Sequence, residues 1–128
     1  MLENSIEIIM LPNASAIPGL TFRHFRGEAD YAPMAAICNG LYAAGFREVY
    51  IQVEDIASGF KFLPHCNLET DMLFAELNGQ TIAYGVCRWE QEKQRKIFII
   101  GINILPELKA KGIEAAMLLW LEQRALEI

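Results

Sequence analysis

The alternation of hydrophobic and polar residues is clearest in the middle of the chain, where two strand-like segments flank an Asn-Gly pair. Residues 71–77 and 80–89 are rich in apolar, β-branched and aromatic residues, and Asn78 and Gly79 separate them. Asn-Gly provides the positive φ angles of a type I′ turn, which joins two antiparallel strands. The pattern therefore predicts a β-hairpin over residues 71–89.

A third antiparallel strand is predicted at residues 97–104, which are almost entirely apolar. The segment 90–96 between it and the hairpin contains charges of both signs, which is typical of an exposed turn rather than of a binding patch. Before the hairpin, residues 20–25 have strand composition and end at Gly27, so they predict the first strand of the sheet.

Helical periodicity appears between the first strand and the hairpin. Asp30 is a candidate N-cap, Pro33 fits the first turn, and Met34, Ile37, Cys38 and Leu41 form an apolar stripe. A shorter helix is predicted from Val53 to about Gly59, with Glu54 and Asp55 in its first turn. Residues 61–69 are predicted to be a loop.

The last segment, residues 97–126, predicts a strand, a glycine-containing turn and a helix. The first amides of a helix have no partner within it and lie at the positive end of the helix dipole, so such a turn is suited to hold a phosphate. The helix is predicted over residues 112–125, and between residues 113 and 121 its only polar residue is Glu114. A helix that is apolar around most of its circumference is expected to be covered on more than one side.

Composition narrows the classes of function. The chain has 128 residues, 53% of them hydrophobic, which is enough for one domain with a substantial core. A net charge of −5 argues against binding nucleic acid through a broad basic face. Cys38, Cys66 and Cys87 are odd in number and contain no Cys-x-x-Cys pair, so neither a disulfide framework nor a zinc knuckle is indicated. A reducing, cytoplasmic setting is expected.

Targeting and membrane segments are not indicated by the sequence. The first eleven residues contain two glutamates and no basic residue, the wrong charge for a signal or transit peptide. No apolar stretch approaches the roughly 18 residues that cross a bilayer. We therefore expect no membrane partner.

The chain resembles the GCN5-related N-acetyltransferase (GNAT) superfamily in two segments. AELNGQTIAYG at residues 75–85 is similar to the hairpin of the second and third strands of that family, and NILPELKAKGIEAAMLL at residues 103–119 is similar to its acetyl-CoA signature. FRGEADY at residues 25–31 resembles the opening of tandem-domain members. The resemblance implies an α/β (α+β) fold with a mainly antiparallel sheet and flanking helices, preceded by an N-terminal extension at residues 1–19.

The resemblance implies an acetyl-CoA-dependent N-acyltransferase and assigns a cofactor site. The backbone of the fourth strand would bind the pantetheine arm, and the turn and helix start would surround the pyrophosphate, with two lysines adding positive charge. The residues assigned are Ile102, Asn103, Ile104, Lys109, Ala110, Lys111, Gly112, Ile113, Glu114 and Ala115. An amine-bearing small molecule or peptide would be the acceptor.

Two differences from the family pattern bear on activity. Lys109 stands where the family prefers Arg or Gln, and Glu114 stands where it prefers a small residue. A carboxylate about 4 Å from a phosphate charge costs on the order of 1–4 kcal/mol, so weakened cofactor binding is expected. Glu114 could equally serve as an ordinary first-turn acid on a helix that binds no anion.

The resemblance covers residues 20–128, about the first two-thirds of a family domain. The fifth strand and the later helix, which usually contains a catalytic tyrosine, would follow Ile128, so the GNAT-like domain is expected to be incomplete. It would be completed by a further segment, a second domain or self-association. The alternative function is a non-catalytic association module that dimerises through the open fourth strand and the apolar last helix.

Other groups of residues give less support for a catalytic or metal site. A nucleophilic pair of Cys38 or Cys66 with His24 or His65 has no spacing that fixes it, and His65, Cys66 and Asp71 lack a fourth ligand for a metal. Tyr84 and Trp89 are expected to be core residues. Glu76 and Glu90 are the acids nearest the central strands, but a solvated hairpin end is the expected role of Glu76, so no general base is assigned.

Overall fold

The computed structural model describes residues 8–11, 14 and 16–128. A four-stranded sheet with the order β1-β2-β3-β4 lies at its centre, and each neighbouring pair is antiparallel. The strands are β1 (Leu20–Arg23), β2 (Met72–Leu77), β3 (Gln80–Glu92) and β4 (Arg95–Ile104), and the helices are α1 (Tyr31–Ala43), α2 (Val53–Lys61), α3 (Leu68–Asp71) and α4 (Ile113–Glu127). Among the residues the structure describes, no helix has the length and apolar character needed to cross a membrane.

The predicted hairpin is confirmed. Asn78 and Gly79 have φ angles of 52° and 85°, the positive values that a type I′ turn requires. The second hairpin, between β3 and β4, is longer than predicted because the strands continue through most of the charged segment and Glu92 pairs with Arg95. Residues 90–96 are exposed, as expected of a segment with mixed charges.

Helix α1 has the predicted apolar stripe, since Met34, Ile37, Cys38 and Leu41 are all buried. The predicted capping role of Asp30 is wrong. Asp30 is at the N-cap position but makes no side-chain capping bond. Its buried carboxylate instead accepts hydrogen bonds from the Arg23 side chain, at 2.8 and 3.1 Å. Leaving a buried arginine without a carboxylate partner costs more free energy than leaving a helix end without a side-chain cap.

The region between α1 and the hairpin contains more helix than predicted. Helix α2 continues to Lys61, and α3 lies within the segment that was predicted to be a loop. Asn67 caps α3 by accepting a hydrogen bond from the Glu69 amide at 3.1 Å. A helix of four residues is too short to show a hydrophobic period, so the pattern could not reveal it.

The sheet separates two apolar clusters. Helices α1 and α2 cover one face, where they form a cluster with Met72 and Phe74 of β2 and Tyr84 of β3. Helix α4 covers the other through Ile113, Ala116, Met117 and Leu121. Within β3, Tyr84 belongs to the first cluster and its neighbour Ala83 to the α4-side cluster, as the pleat of a strand requires.

The opposite side of α4 is uncovered within the described part of the chain. Leu118 and Leu119 are 41% and 50% exposed. The sequence predicted that α4 would be covered on more than one side. Among the residues described, only its sheet side is covered.

The predicted N-terminal extension, residues 1–19, lies partly outside the described residues. Of those described, Ile9 forms a bridge with Phe22 of β1, and Leu11 and Ile17 pack against the α4-side cluster. This segment therefore contributes apolar surface to the same core as α4.

Candidate cofactor site

The path from β4 into α4 is a short turn that leads to the start of a helix. After β4, a 3₁₀ turn at Pro106–Leu108 precedes Lys109, and α4 starts after Gly112. Gly112 has φ 86° and ψ −4°, a left-handed conformation that glycine adopts without strain. Glycine has no side chain that could cap the helix, and the first amides of an α-helix have no partner within the helix. We call residues 109–115 the cradle.

Ala110 also has a positive φ angle, 66°. Two left-handed residues within three positions turn the chain sharply, and a non-glycine residue in this conformation is held there by its surroundings at a cost of order 1–2 kcal/mol. Strain of this kind concentrates at functional sites.

The two residues that depart from the family pattern face each other. Lys109 Nζ lies 3.8 Å from Glu114 Oε2, and both side chains are more than one-third exposed. Lys109 Nζ also lies 5.2 Å from the centre of the Phe46 ring. An exposed pair of this kind contributes about 0–1 kcal/mol. The negative charge of Glu114 at the cradle is therefore partly offset by Lys109 before any anion binds.

The strand residues assigned to the site occupy the end of β4. Ile102 pairs with Gly85, Asn103 with Tyr84 and Ile104 with Ala83. Ile102 and Ile104 pack toward the α4 side, and Asn103 lies on the other face. Among the described strands, β4 pairs only with β3, so its outer backbone groups have no strand partner there.

The ten assigned residues thus follow one another from the end of β4 to the first turn of α4. Ile113 is 1% exposed and anchors the helix start in the core, while residues 110–112 and Ala115 are exposed. The helix start is consequently fixed on its inner side and accessible on its outer side.

A polar cluster beside β4 was missed by the sequence analysis. Tyr84 Oη lies 3.0 Å from Cys38 Sγ, and Arg47 Nη1 donates to Asn103 Oδ1 at 3.5 Å. Burial, and next the neighbouring Cys38, raise the pKa of Tyr84, whereas Arg47 and Asn103 act to lower it. Arg47 belongs to a loop without periodicity, so no sequence signal linked it to β4.

The other candidates do not form catalytic groups. Cys38 contacts Tyr84 rather than a histidine, and burial, followed by Asp71 and Cys87, raises the pKa of Cys66 to about 12. In the described part of the chain no three His, Cys, Asp or Glu residues are grouped to hold a metal ion.

The two aromatic residues of β3, Tyr84 and Trp89, differ in burial and in the side chains that they contact. Tyr84 is 3% exposed, so the prediction of a core residue is confirmed for it. Trp89 is half-buried, stacks on His65 at 3.7 Å between ring centres, and has Lys96 Nζ 4.6 Å from its own centre.

The prediction of a solvated Glu76 is wrong. Its side chain is 17% exposed and accepts a hydrogen bond from Arg23 Nε at 2.7 Å. Arg26 pairs with the same carboxylate oxygen. Glu76 is therefore ion-paired with both arginines, and Glu90 pairs with Arg88 on the surface. Because both carboxylates are ion-paired, we assign neither of them as a general base.

Comparison with solved structures relates this architecture to acetyltransferases. A GCN5-related N-acetyltransferase from Sphaerobacter thermophilus superposes with a TM-score of 0.68 at 14% identity over 85% of this chain and 33% of its own. A proposed acetyltransferase from Salmonella typhimurium, solved with its cofactor acetyl-CoA, gives 0.60 at 19% identity over 85% of this chain and 64% of its own. A proposed acetyltransferase from Pyrococcus horikoshii gives 0.61 at 17% identity over 86% and 36%.

The chain thus spans between one-third and two-thirds of the length of these three proteins. No protein-family model and no curated protein matches the sequence. The superpositions confirm the predicted architecture, and the chain has the fold of the GCN5-related N-acetyltransferases.

Proposed function

We propose that the chain binds acetyl-CoA at the cradle and supplies the cofactor-binding part of an N-acyltransferase. The observation that best supports this is the start of α4, where left-handed Gly112 opens a fifteen-residue helix without a side-chain cap. Donor groups and the helix dipole both favour an anion at this position. The open edge of β4 adjoins it and suits an extended arm.

In this proposal the cradle amides bind the pyrophosphate, and β4 binds and orients the pantetheine through its backbone at Ile102, Asn103 and Ile104. Acetyl-CoA supplies an acyl thioester that an amine can attack directly. The attacking amine must be neutral, and β4 offers no carboxylate to deprotonate it. We therefore assign no base to this chain.

The comparisons support the proposal at the level of fold, and the structure solved with acetyl-CoA shows that this architecture accommodates the cofactor in that protein. The three cysteines of this chain are free, which is consistent with the reducing, cytoplasmic setting that we propose. As partner of this chain we propose a second GNAT-like domain or a second copy of the chain.

Titration calorimetry with acetyl-CoA tests the cofactor role. Glu114→Ala should tighten binding about fivefold, the effect of about 1 kcal/mol, because it removes a negative charge and releases Lys109 toward the phosphates. Glu122→Ala is the matched control, since Glu122 is an exposed acid on the same helix beyond its first turn. It should leave the affinity unchanged.

No detectable heat at millimolar acetyl-CoA would remove the cofactor role. Equal affinities for wild type and Glu114→Ala would show that the turn does not face the phosphates.

A second candidate function is self-association, which the uncovered side of α4 favours. Leu118, Leu119 and the edge residue Phe98 are all at least one-third exposed. Apolar surface of this kind, next to an unpaired strand, suits a second copy of the chain. Light scattering should then give a dimer that Leu119→Glu dissociates, and a wild-type monomer at all concentrations would exclude this function.

A further inference from the structure

A cavity of about 490 Å³ opens at the end of the sheet where β1 ends and β2 begins. It is lined by Phe25 and Arg26, which follow β1, by Lys61 at the end of α2 and by Leu68 at the start of α3. Pockets that hold small molecules in proteins have volumes of roughly 300–1,000 Å³. The cavity is therefore large enough for a small ligand.

One wall of the cavity is held in place by a buried ion pair. Gly27, on this wall, has φ 128°, and a Cβ atom added there would meet no heavy atom within 4 Å beyond its chain neighbours. The Arg26 amide donates to Asp30 Oδ2 at 2.7 Å, and Asp30 pairs with Arg23 at 2.8 Å. The backbone beside the open space is thus fixed by contacts on its inner side.

The inner part of the cavity is apolar. Phe25 and Leu68 are half-buried and pack against the cluster that α1 and α2 cover. The Phe25 ring centre lies 6.2 Å from that of Phe74, which is fully buried. The core therefore supports these two side chains, and the apolar body of a ligand is stabilised by contact with such surface.

The outer part of the cavity is lined by two cations and one carboxylate. Arg26 pairs with Glu76 of β2, outside the cavity lining, and its side chain remains 51% exposed. In the part of the chain that the structure describes, Lys61 takes part in no ion pair. Glu69 is the exposed carboxylate of the lining. An anion near Arg26 and Lys61 is attracted by both, and Glu69 opposes it.

Cys66 also lines the cavity but adds no negative charge at neutral pH. Burial, followed by Asp71 and Cys87, raises the pKa of its thiol to about 12. The lining thus combines an apolar floor with an excess of positive charge, in a protein whose net charge is −5.

We propose that this cavity binds a small amphipathic anion, whose apolar body contacts Phe25 and Leu68 and whose carboxylate lies between Arg26 and Lys61. The site does not depend on the proposed acyltransferase function. Strands β1 and β4 are the outer strands of the sheet and run in opposite directions. The cavity, where β1 ends, and the cradle, after β4, therefore lie at opposite ends of the sheet.

The test titrates the protein with 4-phenylbutyrate at constant ionic strength, while the methyl resonances of Leu68 are followed by NMR. The carboxylate should give a saturable shift, and 4-phenylbutanamide, a neutral probe of nearly the same shape, should bind about tenfold more weakly because it lacks the charge. Lys61→Gln should weaken binding of the carboxylate about threefold, and Glu69→Gln should tighten it about threefold. The two exposed substitutions thus have opposite signs.

Lys93→Gln is the matched control, since Lys93 is an exposed lysine in the turn between β3 and β4, outside the cavity lining. It changes the net charge as Lys61→Gln does and should bind 4-phenylbutyrate as wild type does. The absence of a saturable shift at Leu68, equal affinities for the two probes, or equal affinities of Lys61→Gln and Lys93→Gln would overturn the anion site. Shifts at the exposed Leu118 and Leu119 of α4 with none at Leu68 would overturn it as well.

Discussion

Individual residues of the cradle differ in how far their conformation follows from their identity. Gly112 is left-handed, as a glycine before a helix can be, and its place in the sequence was enough to suggest the turn. Ala110 is also left-handed, but alanine prefers negative φ, so only the surrounding fold holds it. The contact between Lys109 and Glu114 depends on the conformation of the turn that separates them. The sequence pattern did not predict that conformation.

Cys66 illustrates a residue whose chemistry depends on burial. Burial, followed by the negative charges of Asp71 and Cys87, raises its pKa from 9.0 to about 12. The thiol form is therefore favoured in the folded protein, and the associated stability is present below about pH 9 and is lost as the pH rises toward about 12.

We predict that Cys66 is a poor nucleophile at pH 8.5. In a Cys38→Ser/Cys87→Ser variant, alkylation by iodoacetamide should be at least tenfold slower in the folded protein than in the unfolded chain, because only the thiolate reacts. Mass spectrometry of the alkylated protein over time measures both rates. Equal rates would contradict the raised pKa.

At the scale of elements, the approach of α4 to the sheet depends on one glycine of β3. A Cβ atom on Gly85 would lie 2.7 Å from Leu121 Cδ1, and Leu121 is 0% exposed. The helix can pack this closely because no side chain intervenes. The position of the cradle relative to β4 depends on this packing, since the same helix begins at the cradle.

Gly85→Ala should therefore destabilise the protein by about 1–3 kcal/mol through overpacking. Gly101→Ala is the matched control, because the nearest atom to its added Cβ is Val86 Cγ1 at 4.0 Å. Urea unfolding followed by circular dichroism measures both free energies. A loss in Gly101→Ala as large as in Gly85→Ala would show that the effect is one of strand glycines in general.

The elements were largely predictable, and their side-chain contacts were not. The Asn78-Gly79 turn and the apolar stripe of α1 follow from local rules, because each depends on neighbouring residues. The pairing of Asp30 with Arg23 joins α1 to β1, and the contact of Arg47 with Asn103 joins a loop to β4. Such contacts depend on how distant segments meet, so periodicity gives no sign of them.

At the scale of the whole molecule, the sheet has helices on both faces and the open edge of β4 on one side. The proposed cofactor site lies at this edge, with the cradle at its end, and Arg47 approaches the same strand from the α1 face. The superpositions show the fold alone, and cofactor binding by this chain is the claim to be tested.

The most direct test is to follow backbone amide resonances by NMR during titration with acetyl-CoA. The amides of Gly112, Ile113, Glu114 and Ala115 should shift together and saturate with a single dissociation constant, and those of α2 should not move. Pantetheine, which lacks the pyrophosphate, should leave the cradle amides unshifted. A saturable shift elsewhere with none at these four amides would contradict the account, as would the absence of any shift at millimolar acetyl-CoA.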